Sequence, residues 1–103
     1  MNLTITARRF RLPEDLREYI EAKAKKLNRY YQGIIDLEII LGWEKLMRYT
    51  EIKMNVNTRQ LVVKESAEEL RKSFDLALDR AERQLKKFKE KLQTTEKDKV
   101  HTA

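Results

Sequence analysis

An α+β domain with the order β-α-β-β-β-α follows from three observations on the 103-residue sequence. Residues 2–7 alternate apolar and polar with a period of two, the mark of a half-buried strand. Two long segments, one before residue 33 and one after residue 66, carry apolar residues at helical spacing. Between them lie three strand-like stretches too close together for an intervening helix, so these must pair as an antiparallel meander. A four-stranded, mostly antiparallel sheet with two amphipathic helices packed on one face is the predicted architecture.

The elements follow in chain order. Leu3, Ile5 and Ala7 form the inner face of the first strand, opposite Asn2, Thr4 and Thr6. Arg8-Arg9-Phe10-Arg11 makes a basic connection. Pro13 suits the first turn of a helix, where its missing N–H costs nothing, and Glu14 and Asp15 favour the positive end of the helix dipole. Leu16, Tyr19, Ile20, Ala24, Leu27, Tyr30 and Tyr31 give that helix one apolar face, and Gly33 marks its stop. Ile35, Leu37, Ile39, Leu41 and Trp43 alternate with Asp36, Glu38, Ile40 and Gly42 as a second strand. A connection near residues 44–48 leads to a third, with Thr50, Ile52, Met54 and Val56 on one face. Asn57-Thr58-Arg59 supplies a turn before a short fourth strand at Leu61-Val62-Val63.

Ser66-Ala67-Glu68-Glu69 has the capping-box pattern, which predicts a helix over about residues 67–92. Its stripe of Leu70, Phe74, Ala77, Leu78, Ala81, Leu85, Phe88 and Leu92 gives every member a partner three or four residues away. Residues 93–103 lose this periodicity and are expected to form a polar, flexible tail after a single domain at 1–92.

Composition narrows the chemistry. Without Cys, thiol catalysis, disulfides and Cys-based zinc sites are excluded. The single histidine, His101, lies near the C-terminus, and two glycines cannot write a phosphate-cradling loop. No unbroken apolar stretch exceeds three residues, so no membrane partner is expected. Carboxylate pairs such as Glu14/Asp15 and Glu68/Glu69 are helix-start residues rather than an acid/base dyad. The expectation is a soluble, intracellular, non-enzymatic domain with no cofactor, no metal and no small-molecule substrate.

The formal net charge of +6 gains meaning from its placement. Lys23, Lys25, Lys26 and Arg29 fall in the second half of the first helix without an acid among them, whereas Glu14, Asp15, Glu18 and Glu21 crowd its start. On the second helix Arg80, Arg83, Lys87 and Lys91 line one stripe, with Asp75, Asp79 and Glu82 on the other flank and Lys86 and Lys89 nearby. The dipole alone accounts for cations near a helix end, but not for their separation from the acids. Packing both helices on one sheet face would merge the basic ends into one patch, extended by Arg8, Arg9 and Arg11. Phosphate binding is the usual purpose of such a surface. The aromatic residues, Trp43 included, are expected mainly in the core, with Tyr30 and Tyr31 the best exceptions; Leu76 lies off the apolar stripe as a small exposed contact.

Two motifs carry a family resemblance. Ile5-Thr6-Ala7-Arg8-Arg9-Phe10 followed by Leu16-Arg17-Glu18-Tyr19-Ile20 resembles the opening of the ribosome hibernation promoting factor family, which includes ribosome-associated inhibitor A and the sigma-54 modulation proteins. The segment Asp79-Arg80-Ala81-Glu82-Arg83-Gln84-Leu85-Lys86-Lys87-Phe88-Lys89-Glu90-Lys91-Leu92 resembles the family's basic signature. The sequence departs from the family pattern where Glu68-Glu69-Leu70-Arg71-Lys72-Ser73-Phe74-Asp75 lacks the usual Tyr.

The resemblance covers about residues 1–92 and implies a fold like the double-stranded-RNA-binding domain. It also implies a short-form factor that is a monomer off the ribosome and does not tether two ribosomes by itself. Its partner would be the small ribosomal subunit, where it would bind 16S-type rRNA and neighbouring ribosomal proteins in the mRNA/tRNA channel and block translation under stress, in the cytoplasm. The positions it assigns to RNA binding are Lys23, Lys26, Arg29, Arg80, Arg83, Lys87, Lys89 and Lys91, to which charge placement adds Lys25 and Lys86. A general double-stranded-RNA-binding module and a protein-interaction adaptor are the alternatives.

Overall fold

The computed structural model describes residues 1–92 in full and the helical backbone on to Thr102. The elements are β1 (Asn2–Ala7), α1 (Glu14–Tyr30), β2 (Ile34–Glu44), β3 (Met47–Val56), β4 (Arg59–Ala67) and α2 (Leu70–Thr102). The side chains of residues 93–103, where a polar tail is expected, lie outside the described residues.

The sheet order is β1-β2-β3-β4, with β1 parallel to β2 and the other pairs antiparallel. A parallel β1–β2 pair requires a crossover, and α1 supplies it by running back along the sheet. Register aligns Ile5, Ile39, Ile52 and Val63 across the four strands, and Leu3, Leu37, Met54 and Leu61 beside them. These residues face Ile20, Ala24 and Leu27 of α1 and Phe74, Ala77, Ala81, Leu85 and Phe88 of α2 in one core. The predicted fold class is therefore realised, with both helices on one face.

Several boundaries differ from the sequence-based expectation. The Ser66 capping box does not form, because Ser66 and Ala67 are the last residues of β4, paired with Tyr49 and Arg48. A backbone ladder from Arg59 to Ala67 bonds the whole segment, whereas the cap would satisfy only two donors. The helix begins at Leu70 instead, where the Ser73 N–H donates to the Glu69 carbonyl at 3.0 Å. The connection expected over residues 44–48 shrinks to a two-residue loop, since Glu44 pairs directly with Met47. Lys45 takes φ = 59° there, a left-handed value usually left to Gly or Asn. Gly33 does not end α1 by adopting positive φ; the helix stops when Tyr31 turns extended, and a side chain at Gly33 would collide with the Tyr31 ring.

One polar contact stitches α2 to the sheet. Thr50 and Ser73 are both buried, their hydroxyls 2.8 Å apart, and Ser73 Oγ donates onward to the Leu70 carbonyl at 2.7 Å. Since Ser73 spends its only proton on Leu70, Thr50 is the donor between the two. Ser73→Ala then strands a buried hydroxyl and is expected to cost about 1–3 kcal/mol. In a Thr50→Val background the same change removes no partner and should cost clearly less. Urea unfolding of the two single variants and the double variant measures the difference.

Candidate nucleic-acid interface

Two aromatic pairs fix how the helices lie. Tyr19 meets Phe74 edge-on at 6.0 Å between ring centroids, and Tyr31 meets Phe88 edge-on at 5.7 Å. The start of α1 thus touches the start of α2, and Tyr31, the residue that follows α1, touches α2 further along, so the helices run side by side in the same direction. Their basic second halves consequently share one end of the domain.

The flanks of α2 are distinct. The Tyr19 hydroxyl donates to Asp75 Oδ1 at 2.5 Å, which places Asp75 on the flank facing α1. That hydrogen bond, then burial and the Asp75 charge, raises the Tyr19 hydroxyl above the usual tyrosine range; Arg71, 4.3 Å from the ring centroid, opposes the shift. Steps of four, three, four and three from Asp75 reach Asp79, Glu82, Lys86 and Lys89, so this flank begins acidic and ends basic.

The opposite flank borders β4. Arg80 bonds Glu65 at 3.1 Å and the Lys64 carbonyl at 3.4 Å. Arg80, Arg83, Gln84, Lys87 and Glu65 line a shallow cleft of about 320 Å³ along it. Arg83 also pairs with Asp79 at 3.0 Å.

The ten predicted residues fall into two rows joined at one end. On α1, Lys25, Lys26 and Arg29 are exposed, and Lys23 is half-buried with its ammonium 5.7 Å from the Tyr19 ring centroid. On α2, Arg80, Arg83, Lys86, Lys87, Lys89 and Lys91 are all exposed. Among the described residues, Lys25, Lys26, Arg29, Lys86, Lys87 and Lys89 have no ion-pair partner. Cations left without internal partners are available to an external polyanion. Tyr30 is exposed among them, and Tyr31 is half-buried against Phe88.

Arg8, Arg9 and Arg11 do not extend this patch. They follow the C-terminal end of β1, where α1 begins, and the basic half of α1 lies at the opposite end of the sheet. Arg9 has φ = 65°, a left-handed conformation that costs a non-glycine residue roughly 1–2 kcal/mol. Trp43 likewise departs from the core expectation. It lies on the helix-side face but is 56% exposed, with the Arg48 guanidinium 3.3 Å from its ring centroid. β2 outruns the helices at this end, so strand alternation continues after the cover has stopped. Leu76 is exposed, as its position off the stripe predicts.

Among the described residues, no group of three or more His, Asp or Glu is placed to hold a metal, and no helix is long and apolar enough to cross a membrane.

Comparison with known proteins gives this surface a context. Residues 3–93 match the model of the family described as Sigma 54 modulation protein / S30EA ribosomal protein. A ribosome hibernation promoting factor from Azotobacter vinelandii is 31% identical over 91 residues, covering 88% of this chain and 85% of that protein. The Escherichia coli K12 protein of the same name is 30% identical over 92 residues, covering 89% and 97%. Among solved structures, the Thermus thermophilus Protein Y N-terminal domain superposes with a TM-score of 0.75 at 28% identity, covering 85% of this chain and 99% of that one. A ribosomal subunit interface protein from Coxiella burnetii gives 0.81 at 22% identity, covering 86% and 98%, and supports the fold alone. The chain belongs to the Sigma 54 modulation protein / S30EA ribosomal protein family.

Proposed function

We propose that the chain is a ribosome-associated hibernation factor of the cytoplasm that binds small-subunit rRNA in the mRNA/tRNA channel and blocks translation by occupying it. One observation carries the reading: two parallel helices bring their unpaired cations to one end of a domain whose relatives are named for ribosome hibernation. The residues assigned to RNA are Lys23, Lys25, Lys26 and Arg29 on α1 and Arg80, Arg83, Lys86, Lys87, Lys89 and Lys91 on α2. Such a mechanism needs no catalytic group. A folded wedge held by phosphate contacts excludes a second polyanion from the same channel by volume and by charge, and its effect lasts as long as it stays bound.

The test is co-sedimentation with ribosomes and separated small subunits in sucrose gradients at low and moderate salt. Association at about 0.05 M salt that falls steeply by about 0.2 M is expected for binding through several phosphates. Equal competition by an arbitrary RNA duplex at fixed salt would instead make the chain a general duplex binder. Capture of another protein that survives nuclease and brings no rRNA would make it an adaptor.

A further inference from the structure

The end of the sheet away from the basic helix ends carries a second surface. Arg8, Arg9, Phe10, Trp43 and Tyr49 line a half-open cavity of about 550 Å³, within the usual range of roughly 300–1,000 Å³ for small-ligand pockets. Three rings and two guanidinium groups make up this lining, and no acid joins them. The nearest carboxylate in sequence, Glu44, is engaged by Lys64 at 2.9 Å.

The lining is held in place rather than merely exposed. Arg48 sits opposite Trp43 in the β2–β3 register and stacks on the indole, fixing its plane from one side. Tyr49 lies across Gly42, where an added Cβ would come within 2.6 Å of the ring, and its hydroxyl accepts from Arg8 at 3.4 Å. Arg9 is presented from a strained left-handed backbone, a feature that collects at functional sites. Trp43 remains 56% exposed in spite of these contacts, so its ring is open to a ligand.

We propose that this cavity captures one unpaired RNA nucleotide, its base stacked against Trp43 and Phe10 and its phosphate held by Arg8 and Arg9. Charge complementarity and aromatic surface together select this occupant. A base offers a flat face, and its phosphate supplies the anion that two guanidinium groups require. An apolar protein side chain would use the rings but leave both cations unmatched. The proposal rests on the reading that the chain binds RNA, and adds to the helix rows a contact specific for single strands. Ribosomal RNA loops and messenger RNA both offer this chemistry.

Trp43 is the sole tryptophan of the sequence, so its fluorescence reports this site alone. Titrating the full chain with a short single-stranded oligoribonucleotide should quench that emission, and an RNA duplex of equal charge should not. Arg9→Glu should abolish the quenching with an unchanged circular-dichroism spectrum. Trp43→Ala should weaken binding of a labelled oligonucleotide about tenfold or more by anisotropy, as expected for a lost stacked base. Co-sedimentation of Trp43→Ala with messenger-free ribosomes separates the sources: a loss assigns the nucleotide to rRNA, and no change assigns it to a free strand. Absent quenching, quenching equal with the duplex, or quenching indifferent to Arg9→Glu overturns the proposal. Ribosome association that persists without quenching defeats this site alone, whereas quenching without ribosome association defeats the ribosomal reading alone.

Discussion

Phe74→Ala should remove about 3–5 kcal/mol of stability, a large share of the roughly 5–15 kcal/mol available to a small domain. Phe74 is fully buried, and its ring meets Tyr19 edge-on at the seam where α1, α2 and the sheet come together. The lost ring leaves a cavity that two helices and a sheet cannot close without moving, so the penalty combines transfer and void. The adjoining contacts suffer as well, because Tyr19 reaches Asp75, the next residue of α2, with its hydroxyl. Urea titration followed by far-UV circular dichroism measures the effect. Trp43 fluorescence would report poorly, since that ring lies outside the core. Leu76→Ala, two residues along α2 but exposed, is the control and should change stability by no more than about 0.5 kcal/mol. A Phe74→Ala cost below about 1 kcal/mol would mean that the seam is not part of the cooperative core.

The same seam shows what could and could not be read from the residues. Phe74, Ala77, Ala81, Leu85 and Phe88 are buried where a period of 3.6 places them, because that period is local and the stripe needs only one partner surface. The strand alternation through Leu37, Ile39 and Leu41 holds for the same reason. Trp43 continues that alternation and still lies in solvent, because burial depends on where the covering helices begin, which is a tertiary fact. Ile40 fails in the opposite sense: it points to the other face, between its register partners Thr6 and Glu51, yet is buried. Ser66–Glu69 satisfies two local rules at once, and the long ladder with β3 decides between them.

The basic residues were legible one helix at a time. Their meeting at one end depends on α1 and α2 running in the same direction, which follows from a parallel β1–β2 pair that no local pattern encodes. That pairing also carries Arg8–Arg11 to the far end, where their proximity to Trp43 comes from the β2–β3 hairpin rather than from sequence spacing.

Reversing charge on the two rows separately should produce the largest functional change. Lys25, Lys26 and Arg29 replaced by Glu on α1, or Arg83, Lys87 and Lys91 on α2, should each weaken ribosome binding by about 10²–10⁴ at low salt, given repulsion added to lost phosphate contacts. Affinity alone would not separate this from a folding defect, so the salt dependence decides. Each cation that neutralises a phosphate contributes about 0.7–0.9 to the slope of log K against log salt. Either triple variant should therefore lower that slope by up to about two or three.

Arg80 belongs to neither set. It pairs with Glu65 and reaches the Lys64 carbonyl, so a reversal there would set two acids together and confuse stability with binding. Reversing Arg83 also brings an acid beside Asp79, but that pair is exposed and lies one turn away on the same helix, where it is worth only about 0.3–0.5 kcal/mol. If the rows grip separate stretches of rRNA, their free-energy losses should add within about 0.5 kcal/mol in the sixfold variant. A loss clearly smaller than the sum would place both rows on one RNA element, gripped at the end where the two helices converge. Binding that kept both its strength and its salt slope through all six reversals would remove electrostatics from the mechanism altogether.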